Sequence, residues 1–194
     1  MKLPFILLAL FCLILTSCEG NEDVEDIQDS GNQFIIQNDK FDLKNAVLRN
    51  DGFYRYDTYY EGSLKYLYLA SEKITFDKVA PCGEIQGIGD FIVWEIFTKS
   101  EFGLDEGKYT FFNRLPNLKG KEFTFSGNSA VALNWVNPTY DGGAEKNYDI
   151  TGGELTITKV GQGYKFVFNV LLENGKTLNG TLTVPQISSV KCRV

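Results

Sequence analysis

The feature that most constrains this chain is the pattern of its apolar residues from position 34 onward. They alternate with polar residues or form short runs bounded by Gly, Asn and Asp, and no stretch has a convincing helical period. The 19 glycines, 15 Phe and 10 Tyr also favour strands and turns over helices. We therefore predict an all-β domain over residues 34–194, an antiparallel β-sandwich or flattened β-barrel of about ten short strands that ends in a C-terminal meander.

The strand pattern recurs along the whole of this domain. It predicts strands at residues 34–37, 41–49, 64–70, 74–76, 91–98, 108–112, 122–125, 130–136, 154–160, 164–172 and 176–184. Within the strand at 91–98, the apolar run around Trp94 indicates a core position for that side chain.

The Asn-Gly turn at Gly175 allows two registers for the C-terminal hairpin. A two-residue type I′ turn would place Leu171 opposite Leu178. A three-residue loop, with Gly175 in the left-handed region, shifts the register by one and places Phe168 opposite Gly180. Because a one-residue slip exchanges the buried and exposed faces, the register that keeps the apolar side chains together is favoured. We expect the bulged hairpin, in which Gly180 leaves room for the Phe168 ring.

Residues 1–17 have the pattern of a lipoprotein signal peptide. The uncharged run at 3–15 has 13 residues, fewer than the about 20 that a membrane-spanning helix needs. The run ends in Leu-Thr-Ser before Cys18, which resembles the bacterial lipobox. Small residues there let a peptidase reach the bond, and the thiol accepts the lipid. We predict that acylated Cys18 anchors the mature chain to the lipid bilayer; the alternative is an ordinary secretory signal.

Residues 18–33 are predicted to form an acidic, flexible tether. Residues 19–30 contain six acidic and no basic residues; without these six and Lys2, 19 of the 25 acidic and 18 of the 19 basic residues remain. The tether resembles the signal that sends lipoproteins of Bacteroidota to the cell surface. We therefore expect an outer-membrane protein that faces the cell exterior; the alternative is an anchor that faces the periplasm, with the tether as a solvated spacer. The nearly neutral domain argues against nucleic acid as a partner.

The absence of histidine excludes several mechanisms of catalysis. There is no Ser-His-Asp or Cys-His pair and no imidazole general base. Paired carboxylates are the remaining route to hydrolysis, and Glu84, Asp90 and Glu95 are the candidates, although a solvent-facing Glu95 is the commoner arrangement. We predict a chain that is not an enzyme.

Neither a metal nor another cofactor is expected. Two body cysteines without histidine make a poor zinc site. The loop aspartates do not follow the calcium-loop spacing and fit turns better. Cys82 and Cys192 are an even pair in an exported chain, which indicates a disulfide; two free thiols are the alternative.

The densest aromatic segment supplies the candidate ligand-binding residues. It contains Tyr54, Tyr56 and Tyr59 and, with Tyr60, Tyr66 and Tyr68, holds six of the ten tyrosines. Exposed tyrosines could stack on sugar rings, whereas the favoured interpretation is aromatic packing along a sheet. Trp135, near a predicted loop, is a further candidate.

Several runs resemble a set of small outer-membrane and cell-surface lipoproteins of Bacteroidota. The runs are residues 150–159 (ITGGELTITK), 164–166 (YKF) and 173–180 (ENGKTLNG), together with 89–97 and 104–111. The resemblance implies an all-β domain at the cell surface and implies no activity. We expect a domain that binds a glycan, peptide or small ligand, with an accessory subunit of an envelope assembly and a carboxylate-based hydrolase as alternatives.

Overall fold

The structure is a computed structural model and describes residues 31–53, 61–77, 84–113, 120–136 and 143–191. The all-β prediction is confirmed. These residues form thirteen strands: β1 (Gln33–Ile36), β2 (Asp39–Asp42), β3 (Asn45–Phe53), β4 (Ser63–Ala70), β5 (Ile74–Asp77), β6 (Glu84–Thr98), β7 (Gly107–Phe112), β8 (Thr124–Ser126), β9 (Ala130–Val136), β10 (Lys146–Val160), β11 (Gly163–Leu172), β12 (Thr177–Val184) and β13 (Ser188–Lys191).

The strands form one sheet that curls around a single interior. Its order is β13-β3-β4-β6-β8-β7-β10-β11-β12-β1-β2, with β9 bridging β6 and β10 and with β5 paired to β6. The chain passes from one end of this order to the other twice, between β2 and β3 and between β12 and β13. Both crossings are at the same corner of the molecule because β3 and β13 are neighbours.

The structure differs from the predicted strands in pairing and in length. Two pairs, β13 with β3 and β7 with β8, are parallel, whereas the prediction was antiparallel throughout. Strands β6 and β10 each run for 15 residues. The predicted strand at 41–49 is interrupted at Leu43, which turns into the core and is fully buried.

Gly87 lets β6 continue where the sequence suggested a break. Its φ is +102°, and a Cβ there would lie 2.0 Å from the carbonyl oxygen of Lys73. Only glycine accommodates both the left-handed backbone and this close approach. The N-terminal part of β6 can therefore pair with β5 and its C-terminal part with β4.

The bulged register predicted for the C-terminal hairpin is confirmed. Val170 pairs with Leu178, Phe168 with Gly180, and Gly175 has a φ of +77°. A Cβ built on Gly180 would lie 2.4 Å from the Phe168 ring. The ring therefore occupies the space in which a side chain at 180 would stand.

We expect Gly180→Val to destabilise the domain by about 1–3 kcal/mol, because it overpacks this layer. The free energy of unfolding from urea titration measures the effect. Asn179→Val is the matched control, since that neighbour on β12 is exposed. Equal stabilities of the two variants would contradict the packing of Phe168 on Gly180.

Most buried side chains belong to the interior of the curled sheet. Trp94 is fully buried there, as predicted, and its ring meets Phe125 edge-on with centroids 5.0 Å apart. A second, smaller cluster lies on the outer face of β3, β4 and β6 and includes Tyr68 and Phe91. The candidate functional site lies on this outer face and at the neighbouring corner.

Candidate functional site

Most of the residues predicted to be functional lie outside the described part of the structure. These are Cys18, the pair Cys82 and Cys192, and the tyrosines Tyr54, Tyr56 and Tyr59. Lipidation, the disulfide and binding by the tyrosine segment therefore stay predictions. Tyr66 and Tyr68 are described and lie in β4, where both contact neighbouring strands, as sheet packing requires.

Aromatic rings form a row across the outer face. Phe76 packs on Tyr68 with centroids 5.0 Å apart, and Tyr68 lies 6.3 Å from Phe91. Trp135 follows, edge-on to Phe91 at 5.5 Å. Trp135 is half-buried, and its indole Nε1 has no hydrogen-bond partner among the described residues. Much of the ring surface is thus used in packing between strands, whereas a role of Trp135 in binding stays a prediction.

A row of polar side chains follows on the same face. The Arg49 guanidinium donates to both carboxylate oxygens of Asp51, at 2.8 and 3.0 Å, and to the Tyr68 hydroxyl at 3.2 Å. Its centre lies 4.2 Å from the centroid of the Tyr66 ring. These contacts hold the arginine in one orientation and use three of its five N–H donors.

Glu95 is buried within this polar row. It is 2% exposed and accepts hydrogen bonds from the Tyr66 hydroxyl at 2.8 Å, from Asn128 Nδ2 at 3.1 Å and from the Ser126 hydroxyl. The interpretation of Glu95 as solvent-facing is therefore wrong. Burial raises the pKa of the Tyr66 hydroxyl above its usual range, and the neighbouring Glu95 carboxylate raises it further. Tyr66 consequently remains a proton donor to Glu95.

The three clustered carboxylates do not form a described catalytic pair. Asp90 and Glu95 are five residues apart, which is about 16 Å along an extended strand, whereas glycosidase carboxyls lie about 5–10 Å apart. Asp90 accepts from the Asn134 backbone at 2.9 Å, and Glu84 is exposed at the start of β6. Carboxylates that are close in sequence are therefore far apart along an extended strand.

Lys65 is a buried cation that the sequence analysis did not identify. Its amine donates to the Ser63 hydroxyl at 2.9 Å, to the Ser100 carbonyl at 2.6 Å and to the Thr98 hydroxyl. Burial lowers the pKa of this amine to about 8. The alternation of side chains along β4 could have predicted its burial, because Lys65 shares the inward face with Leu67. Its three donors are all used within the protein.

An open groove of about 410 Å³ lies at the corner where the chain crosses between the two ends of the sheet order. We name it the corner groove; it is lined by residues 44–47, 74–76, 184–186 and 188. Its apolar lining includes the buried side chains of Val47, Ile74 and Val184. Exposed polar side chains, among them Lys44 and Thr75, stand around it. An apolar floor with a polar rim and a volume in this range is the usual form of a ligand site.

A second cavity of about 330 Å³ adjoins the corner groove at Lys44, which lines both. Among the described residues that line the corner groove, Lys44 is the only ionisable one. Within the described ranges its amine makes no hydrogen bond or ion pair. The described lining thus has one cation and no carboxylate, which favours binding of an anionic group over acid–base chemistry.

Two features are absent from the described residues. No helix among them is long and apolar enough to cross a membrane. No group of three or more Cys, Asp or Glu side chains among them could hold a metal ion.

Comparisons with protein-family models, with curated proteins and with solved structures find no match to this chain. What the corner groove does is therefore argued from its own geometry.

Proposed function

We propose that this chain is a membrane-anchored lipoprotein, exposed at the cell surface, whose β-domain binds a ligand non-covalently in the corner groove. The observation that carries the proposal is the groove itself, with a buried apolar floor, a polar rim and the unpaired amine of Lys44. The lipobox at Cys18 and the acidic tether support the anchoring and the location.

The state of the buried ionisable groups supports a role in binding rather than catalysis. Glu95 and Lys65 are each surrounded by hydrogen-bond partners from the protein. Neither residue lines the corner groove. A general acid–base reaction needs a proton donor or acceptor that reaches the substrate, and Lys44 is the one ionisable residue in the described lining of the groove.

Blocking the groove tests the site. We expect Thr75→Trp, which fills the groove from its exposed wall, to weaken ligand binding at least tenfold. The full-length protein in detergent is applied to a glycan array and to a peptide array, and the affinity of each hit is measured for both proteins. Thr158→Trp is the matched control, an exposed strand threonine on β10. Unchanged affinity of Thr75→Trp, or no hit in either array, would reject the proposed site.

Substitution of the lipid acceptor tests the anchor. Cys18→Ala is expected to abolish incorporation of labelled fatty acid and to leave the signal peptide uncleaved at this position, because the thiol is the acceptor. Labelling in growing cells and the mass of the product measure both effects. Cys12→Ala is the control and should change neither, since bulky Phe11 precedes that cysteine. Labelled, membrane-bound protein in the Cys18→Ala variant would contradict the lipoprotein assignment.

One observation favours the alternative of an accessory subunit in an envelope assembly. Ile88 and Val136 pair across β6 and β9 and are 58% and 46% exposed, which is a small apolar surface of the kind used in protein contacts. The subunit role would be preferred if the Ile88→Ser variant lost binding to a protein partner and the Thr75→Trp variant retained it.

A further inference from the structure

We infer that the occupant of the corner groove is an extended peptide that carries a carboxylate, and that it adds a strand to the edge of β5 with which no described strand pairs. The inference rests on the proposed function, because it assigns a ligand class to the same groove. Three observations carry it: the edge of β5, the aliphatic character of the groove floor and the isolated charge of Lys44.

The edge of β5 supplies the main-chain groups. In the described structure β5 pairs only with β6, from Ile74 opposite Gly87 to Asp77 opposite Glu84. Alternate residues of an antiparallel strand direct their N–H and C=O groups away from the partner strand. Ile74, Thr75 and Phe76 line the corner groove, and the Ile74 N–H already donates to the Ser71 carbonyl at 3.2 Å. The main-chain groups available to an added strand are therefore those of the residues that follow Ile74. Strand addition satisfies such groups and gives affinity through the backbone.

The side chains of the groove fit a peptide better than a sugar. A pyranose ring typically binds against an exposed aromatic face. Phe76 is the single aromatic residue in the lining, and its ring already packs on Tyr68. The buried floor is aliphatic, with Val47 and Val184. An added strand would direct every second side chain toward this floor and the others toward solvent.

The charge of the groove selects an anionic peptide. Lys44 is exposed, has no described partner and has no carboxylate beside it in the lining. A peptide carboxylate near its amine forms a charge-assisted contact that a neutral peptide lacks. Lys44 also lines the second cavity together with Lys73, Asp42 and Glu72, so the carboxylate is expected on the corner-groove side of the Lys44 amine, away from those two acidic side chains.

The probe is a library of acetylated hexapeptides with aliphatic and hydroxyl side chains, randomised at three alternate positions. It is made with a free C-terminal carboxylate, as the C-terminal amide, and as the amide with one glutamate. Fluorescence anisotropy with the full-length protein in detergent gives each affinity. We expect the amide without glutamate to bind at least tenfold more weakly than one of the two charged forms, and the stronger form identifies the source of the carboxylate.

Variants and modified peptides test the contacts separately. Lys44→Met should weaken binding of the charged peptide at least tenfold. It should also remove the difference in affinity between the charged and neutral forms. Lys73→Met is the matched control, because Lys73 lines only the second cavity, and it should keep full affinity. N-methylation of one alternate set of peptide amides should abolish binding, while methylation of the other set should not. Both lysines are exposed, so thermal unfolding should confirm intact folds.

Equal binding of charged and neutral peptides, or no effect of Lys44→Met, would overturn the inference. Unchanged affinity for both N-methylated sets of peptides would also overturn the inference. If a glycan binds in a manner sensitive to Thr75→Trp and no peptide does, the peptide assignment fails while the proposed function stands. If neither class binds, both fail. Self-association that Thr75→Trp prevents would make a second copy of the chain the occupant and would exclude the peptide.

Discussion

Glu95→Ala is expected to lower the free energy of unfolding by about 1–3 kcal/mol, the range for leaving a buried hydrogen-bond donor unsatisfied. Glu95 is 2% exposed and accepts hydrogen bonds from three side chains, those of Tyr66, Ser126 and Asn128. Truncation removes the acceptor of all three, and the buried Ser126 hydroxyl then retains its full desolvation cost. The effect should be visible in urea unfolding followed by tryptophan fluorescence.

An exposed carboxylate on β10 is the control for this experiment. Glu154 forms an ion pair with Lys108, and its side chain is 51% exposed, so Glu154→Ala should cost at most about 1 kcal/mol. Glu95→Gln, which keeps one acceptor oxygen, should fall between the wild type and Glu95→Ala. A Glu95→Ala variant as stable as Glu154→Ala would show that the buried network contributes nothing to stability.

Raising the pH from 7.5 to 9.5 is expected to stabilise the protein through Lys65 by at most about 2 kcal/mol. Burial lowers the pKa of this amine from 10.5 to about 8 in the folded state. Between these two values the unfolded chain binds more protons than the folded one, and stability therefore rises with pH. Below pH 8 both states are protonated, and the cost of burying the charge is present in full.

Lys65→Met isolates the contribution of this amine. The free energy of unfolding, measured at both pH values, should rise less in the variant than in the wild type by about 2 kcal/mol. Staying below pH 10 limits ionisation of the tyrosines in the unfolded chain, which acts in the opposite direction, and the comparison of the two proteins cancels what remains. Identical pH dependence in the two proteins would mean that Lys65 titrates as it does in water.

The sequence was sufficient where a local pattern determined the structure. The register of Phe168 against Gly180 followed from alternation and one turn, and the core position of Trp94 followed from an apolar run. The interruption at Leu43 was not predictable in this way. Its cause is the crossing of the chain from β2 to β3, which depends on the arrangement of the whole sheet.

The buried charges were not identified because their partners are remote in sequence. Ser126 is 31 residues from Glu95, and Thr98 is 33 residues from Lys65. Alternation places both charged side chains on particular faces, but it does not say which polar groups meet them there. The corner groove was missed for the same reason, since three segments of the chain form it. The strongest local signal for binding, the tyrosine segment, lies outside the described residues.

The pairing of β13 with β3 has a consequence for when the protein folds. Val190 lies opposite Arg49, and at the other end of the sheet order Phe34 lies opposite Gly180. Neither pairing can form until about 180–190 residues have been synthesised, and contacts between such distant residues form slowly. A nascent chain therefore keeps open strand edges throughout its synthesis, a condition that promotes aggregation and binding to chaperones. Such late completion would suit the proposed lipoprotein, because an exported chain has to remain unfolded while it crosses a membrane.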